Sequence, residues 1–396
     1  MAQIHPRGRA LVGLCALLLL ATAGCDVQMG NWGQARAEKI VERDTALSPG
    51  STLDVDTSSG SITVTGTETG QCRLSATITA RAPSEEEAQA LSEQVEIRLQ
   101  QSANTLKIRA DKPKLKNNRS ISVSYTIAVP RQTNVQCHSA YGSLDLANLE
   151  GVVNAKTGSG SIQAEDMRGA TNLDTAYGSI TCSNIAGPEV ILHSGSGSIT
   201  ARAIKGTARM HSSYGSVRCE GFSEGDLSLK SGSGRVAVAN ATFGKCDATS
   251  SYGPVSGDHL RGAFVKLHSG SGSVELTDAT VDGMDLSSTY GRVRAMHIVT
   301  SDLKAHSGSG SIDVACAEGC PPELTVDVKT SYGSIDLTAP GSFAGQVELT
   351  THYGSVHTER PVTISGEVSK KRIVGTMGQG QGHLRLETSS GSIRLK

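Results

Sequence analysis

The sequence predicts an all-β, single-stranded β-solenoid (β-helix) with 18–19-residue repeats and a small α+β cap toward its N-terminus. Three observations carry this prediction. A Tyr-Gly or Gly-Ser-Gly segment recurs around Gly142, Gly160, Gly178, Gly197, Gly215, Gly234, Gly253, Gly272, Gly291 and Gly310, always 18 or 19 residues apart. A fixed period of this kind marks stacked repeats, each too small to bury its own apolar side. Around each glycine the chain alternates apolar and polar residues, as in Val190-Ile191-Leu192-His193-Ser194 and Ser198-Ile199-Thr200-Ala201, so each strand has one buried and one exposed face. Finally, the 396 residues include 45 Gly but only 4 Phe and 1 Trp, with aromatics at 3%. A core built without large rings must be made of many small aliphatic side chains, which suits a stack.

The first segment, residues 1–24, reads as an export signal. His5, Arg7 and Arg9 form a basic start, and Ala10 to Ala21 is an apolar run too short for an ordinary spanning helix. Thr22-Ala23-Gly24-Cys25 resembles a bacterial lipobox, with Thr22 where the usual residue is Leu. That resemblance implies a diacylglycerol thioether on Cys25 and a lipid-anchored mature chain. Residues 25–50 then serve as the anchor's tether and a lead-in strand. These features place the protein outside the cytoplasm, in the cell envelope, held to a membrane by its N-terminal lipid.

Residues 51–130 form the cap. Leu53 to Thr57 and Ser61 to Thr65 already resemble one repeat around Gly60. Ser84 and Glu87 form a capping box for a short helix whose apolar stripe is Ala88, Leu91 and Val95. Strands are expected over Val95 to Gln100, Thr105 to Arg109 and Ile121 to Val129. Such a cap protects the open end of the stack from edge-to-edge association.

Residues 131–396 are the solenoid. Gly333, Gly354 and Gly391 continue the glycine series at longer intervals. About thirteen coils at roughly 4.8 Å each make a body near 60 Å long. Tyr141, Tyr177, Tyr214, Tyr252, Tyr290 and Tyr332 occupy every second unit, with serines in the same column between them. If one unit is one coil, successive tyrosines lie about 9.5 Å apart, each over a small Ser-Gly corner. If two units make one coil, the tyrosines stack directly. The first arrangement is favoured.

Several residues carry candidate chemistry. Cys316 and Cys320, in a loop before Pro321-Pro322, are the disulfide candidate in a compartment that permits one. Cys137, Cys182, Cys219 and Cys246 fall at inward positions and read as small buried hydrophobes. His193 and His211 fall on adjacent coils, but spacing fixes no third ligand, so they read as part of a polar surface ladder and no metal site is assigned. Three residues after the repeat glycines, Glu275, Arg294, Asp313 and Asp336 cluster, and an ion ladder with Arg294 between Glu275 and Asp313 is expected. Lys112 to Arg119 is strongly basic and reads as an exposed hairpin loop, with anionic headgroups or glycans as the alternative contact.

The opening Thr57-Ser58-Ser59-Gly60-Ser61-Ile62, the Ser-x-Gly-Ser-Ile coils, and the closing Gly378-Gln379-Gly380-Gln381-Gly382 with Leu384 to Ile393 carry a family resemblance. From about Leu53 to Lys396 the chain is similar to a bacterial family of adhesin candidates, β-solenoid domains of unknown function. Many members have Asp after the repeat glycine where this chain has Ser143, Ser161 and Ser179. The resemblance implies a solenoid and an adhesive role, and it transfers no catalytic residues.

The functional expectation is therefore a lipid-anchored envelope protein, adhesin-like, presenting a repetitive surface to a glycan or surface-protein ligand. No catalytic residues and no cofactor are expected. A formal net charge of −1 excludes a general nucleic-acid binder. A polysaccharide-active β-helix enzyme and an envelope-stress accessory protein are the alternatives, and the sequence leaves the oligomeric state open.

Overall fold

The computed structural model describes residues 34–365 and 369–396. The signal segment and the lipidation candidate Cys25 lie outside the described residues. The remainder is an all-β solenoid with one helix.

Successive repeats lie side by side in parallel register. Val153–Thr157 pairs with Val135–Ser139 on one side and Thr171–Thr175 on the other, while Ile162 pairs with Leu144 and Ile180. The shift is one repeat at every step, so one unit is one coil and the tyrosines lie two coils apart, as the first arrangement requires. The inward alternation holds: Ile162, Ile180 and Ile199 are all fully buried. Long strands such as Ile180–Ser194 and Val255–Ser269 run from one corner round the coil to the next. The core is filled by complementary volumes. Gly257 has an ordinary strand conformation, but a Cβ there would sit 2.7 Å from the Leu260 side chain and 2.9 Å from that of Leu276. Space at that level is already occupied by leucine methyls, and a core packed at crystal density has no room to give.

Six residues after the corner glycine, the coil bends through one residue in the left-handed region. Asn148, Asp166, Asn184, Ala203, Asn240, His259, Asp278 and His297 all have φ between 51° and 59°. Ladder pairing skips this residue, as between Asp258↔Thr277 and Leu260↔Ala279. Asn, Asp and His tolerate this conformation better than other L-residues. The result is a second outward column, set by backbone conformation.

Both ends are closed by other strand arrangements. Thr52–Ser59 and Ile62–Thr67 pair in parallel with Asn134–Tyr141 and Leu144–Leu149, so the coil pattern begins at Thr52. Thr105–Asp111 and Ser120–Pro130 add one more parallel layer outside it. Gln71–Ala82 then pairs antiparallel with Ser120–Pro130, and Ala35–Ala46 antiparallel with Gln71–Ala82. The outermost strand carries Arg36, Glu38, Lys39, Glu42, Arg43 and Asp44, a charged edge that resists further pairing. The helix Glu85–Glu93 packs on these two strands, capped by Ser84, whose hydroxyl accepts from the Glu87 amide at 3.3 Å.

At the C-terminal end, spatial order departs from sequence order. Gly382–Thr388 and Ile393–Leu395 stack directly on Thr325–Thr330 and Ile335–Thr338. The earlier segments Gly345–Thr351 and Val356–Thr358 stack outside them. The chain overshoots, builds the terminal coil, and returns to fill the place beneath it. Arg372–Met377 and Thr363–Ile364 then cover the terminal coil as antiparallel strands.

Candidate binding face

The corners set the geometry of the exposed edge. Each repeat glycine faces the carbonyl of the glycine one coil below: a Cβ on Gly253 would lie 2.1 Å from the Gly234 oxygen. No side chain fits there, so the corner glycines stack as bare main chain. Their polar groups are satisfied by a buried hydroxyl three residues earlier. Ser194 Oγ donates to Gly178 O at 2.8 Å and accepts from Gly197 N at 2.9 Å. Ser212, Ser231, Ser250, Ser269, Ser288 and Ser307 repeat both bonds. Thr175 and Thr330 do the same with the same atoms. A hydroxyl is the smallest group that can donate and accept at once.

With the hydroxyl turned in and the glycine flat, the residue immediately before the glycine has only outward space. There stand Tyr141, Tyr177, Tyr214, Tyr252, Tyr290 and Tyr332, each between 66% and 71% exposed. The Ser-Gly corners between them are kept small by main-chain contact. Gly195 lies under the Tyr214 amide, which donates to Gly195 O at 3.2 Å, and a Cβ on Gly195 would meet Ala176 O at 2.4 Å. Rings thus rise from a floor of glycine and serine at alternate coils.

The C-terminal reordering preserves this pattern. In sequence, Tyr353 follows Tyr332 and Ser390 comes last, which breaks the alternation. In space, Gly391 sits on Gly333 and Gly354 on Gly391, so the column runs Tyr332, Ser390, Tyr353. Tyr353 is 80% exposed and extends the ladder, with Lys371 Nζ 5.9 Å from its ring centre. Its own Tyr-Gly-Ser motif was the sequence signal for it.

The histidine column lies nearby. His193 and His211 are brought together on adjacent coils with ring centroids 5.4 Å apart and planes at 19°. Parallel stacked rings do not converge their nitrogens on one point. Instead, His193 Nδ1 meets Asp174 Oδ1 at 3.0 Å, and Lys156 Nζ meets Asp174 Oδ2 at 3.1 Å. Burial alone would raise the Asp174 carboxyl, but hydrogen bonds and charge from His193 and Lys156 outweigh it and hold the group below its ordinary range. Desolvation first, then the charges of His193 and Lys230, push His211 below the ordinary imidazole value.

The expected ion ladder forms only in register. Arg294 stands beside Glu275 and Asp313 as predicted, but among the described residues Asp313 pairs with Arg292, and Asp336 lies 3.6 Å from Arg394. Arg292, next to the corner glycine Gly291, reaches across to the acid more directly than the strand residue does. Arg292, Arg294, Asp313, Asp336 and Arg394 line a surface depression of about 280 Å³. In the basic segment, Lys112 Nζ donates to Ser58 Oγ at 3.0 Å and Arg119 pairs with Glu87 at 2.7 Å.

Cys137, Cys182, Cys219 and Cys246 are buried free thiols. Burial pushes Cys137, Cys182 and Cys219 up to about 12. Ala201 lies between Cys182 and Cys219, so those two thiols are two coils apart. Cys316 and Cys320 are also free thiols, and Cys320 Sγ donates to Ile298 O at 3.3 Å. Among the described residues, no helix is long and apolar enough to cross a membrane.

Residues 50–250 and 223–396 each match the family model described as Toastrack DUF4097. No curated protein matches the chain significantly. Among solved structures, a cell-adhesion candidate from Clostridium sporogenes is 10% identical, covering 90% of this chain and 99% of its own, with a TM-score of 0.23. An adhesin candidate from Bacteroides fragilis is 16% identical, covering 90% and 97%, with a TM-score of 0.18. A lipid-binding candidate from Parabacteroides distasonis is 12% identical, covering 75% and 94%, with a TM-score of 0.26. At those TM-scores the likeness carries no argument about this chain.

Proposed function

The chain belongs to the Toastrack DUF4097 family, and from that premise we propose that it is an adhesin-like envelope protein which grips an extended polymer along its tyrosine-ribbed edge. One observation carries this reading: exposed tyrosines alternate with bare Ser-Gly corners through the whole stack, and the C-terminal swap keeps the alternation intact. Large exposed rings on a soluble surface ordinarily occur singly. Here they recur about every 9.5 Å, two strand spacings, on a rigid support. Each ring offers an apolar face and a phenolic hydroxyl, which suits the apolar face and hydroxyl rim of a sugar. A single such contact is weak. Several engaged by one chain raise affinity through effective concentration, provided the ligand's repeat fits the ladder's spacing. An extended glycan meets that condition better than a globular protein. The signal segment and the lipobox-like Cys25 support export and anchoring of this surface at a membrane.

The test is co-sedimentation of the purified chain with insoluble β-linked glycans and isolated cell walls. A variant carrying Ser at Tyr177, Tyr214, Tyr252 and Tyr290 should lose most binding while its circular dichroism stays unchanged, because these rings touch mainly solvent. Binding that survives in this variant, or no binding to any glycan, would overturn the reading. Anchoring is tested separately by mass spectrometry of the mature N-terminus, which should be an acylated Cys25.

A further inference from the structure

We propose that His259, Asp278 and His297 form a surface site for a divalent transition metal of the zinc type, with Asp258 orienting one ligand. The three residues occupy consecutive places in the left-handed column, one per coil, 19 residues apart. Elsewhere that column supports ordinary side-chain pairing, as between Asn184 and Asp166. Only at these three coils does it place a carboxylate between two imidazoles.

Asp278 stands between the two imidazoles. His259 Nε2 lies 3.7 Å from Asp278 Oδ2, and His297 Nδ1 lies 3.4 Å from Asp278 Oδ1. Ligands bound tetrahedrally at about 2.0–2.1 Å stand roughly 3.3 Å from one another; Asp258, His259 and Asp278 already lie within 4.8 Å of one another, and His297, on the other oxygen of Asp278, must swing toward His259 to complete the centre. The other nitrogen of His259, Nδ1, is 3.0 Å from Asp258 Oδ1. A metal-bound imidazole typically donates its second N–H to a carboxylate, which fixes the tautomer and turns the ligating nitrogen outward. Asp258 is thus placed as a positioning residue and Nε2 as the ligand atom. Two nitrogens and one carboxylate favour zinc or its neighbours over calcium or magnesium, which take oxygen.

The site stands open. Side-chain exposures of 60% for His259, 42% for Asp278 and 73% for His297 leave at least one coordination position to water or to an external donor. The left-handed backbone limits how far the column can rearrange, so the ligands' origins are fixed before the ion arrives. Glu275 and Arg294 line the same depression as His297 and bring opposite charges to its rim. The competing arrangement is a set of histidine–aspartate contacts with no ion between them, and it predicts no saturable metal uptake.

The experiment is titration of the untagged full chain with Co(II), followed by visible d–d absorption, and with Zn(II) by calorimetry, both at a pH above 7. One equivalent should bind. His259→Ala, His297→Ala and Asp278→Asn should each weaken binding at least tenfold, and Asp258→Asn by about 10- to 100-fold through the lost orientation. The double variant His193→Ala, His211→Ala should bind as the parent does. These residues are exposed or half-buried, and circular dichroism checks that each variant is folded. No saturable uptake, or uptake unchanged by His259→Ala and His297→Ala, would overturn the proposal. So would loss on removing His193 and His211 alone.

Discussion

Ser269→Ala tests the device that holds the corners together. Ser269 is fully buried; its hydroxyl donates to Gly253 O at 2.8 Å and accepts from Gly272 N at 2.8 Å. Alanine leaves both main-chain groups without that partner. Each orphaned buried group costs about 1–3 kcal/mol, giving about 2–6 kcal/mol in all. Gly253 is buried but Gly272 is only half-buried, so water recovers part of the loss and about 3 kcal/mol is expected. A repeat stack opens locally, so global melting is a poor measure. Amide hydrogen exchange reads the local opening directly, and about 3 kcal/mol corresponds to roughly 100-fold faster exchange at the Gly272 amide and its neighbours. Ser269→Thr keeps the hydroxyl and matches the native Thr175 and Thr330, so its protection should stay within about threefold of the parent, a difference of under 1 kcal/mol. Equal protection in Ser269→Ala and the parent would refute the reasoning, because the corner would then be satisfied some other way.

Two further outcomes are expected. His211 is held below the ordinary imidazole value, so the unfolded chain binds its proton first; stability is complete above about pH 6.5 and declines as pH falls below it. Asp174 is held below the ordinary carboxylate value, so its contribution persists through that range and is lost only as pH falls through its own lowered pKa. NMR titration should give His211 a midpoint below that of an unfolded peptide, and His193→Ala should move it upward; a midpoint at or above the peptide value would contradict the assigned causes. The Cys320 thiol is drawn down, chiefly by the neighbouring Cys316 thiol, whose own value is pushed up. Mild oxidation should therefore join Cys316 to Cys320, read as a loss of two hydrogens in that peptide, while Cys182 and Cys219 stay unmodified. Earlier labelling of Cys219 than of the half-buried Cys316 would show that burial is not governing reactivity.

The sequence alone determined the coil. A period of 18 or 19 with strict alternation assigns each residue to the inner or outer face, and Ile162, Ile180 and Ile199 followed that assignment because alternation is a local property of an extended chain. The tyrosine and histidine columns were legible for the same reason, since a fixed repeat makes equivalent positions neighbours. The helix at Glu85–Glu93 was legible from its cap.

Tertiary structure decided what local pattern leaves open. Nothing near Gly354 or Gly391 says which coil seats on Gly333, because every coil presents the same parallel edge; the choice falls to the antiparallel strands that cover the terminal coil. Asp313 chose Arg292 over Arg294 by side-chain reach, which register alone does not specify. The left-handed column was present in the spacing of Asn, Asp and His but had no hydrophobic alternation to mark it, so His259, Asp278 and His297 emerged as neighbours only once the backbone bend was known. Period fixes which positions stack. The fold decides which chain segment fills the last place and where a bend turns side chains toward one another.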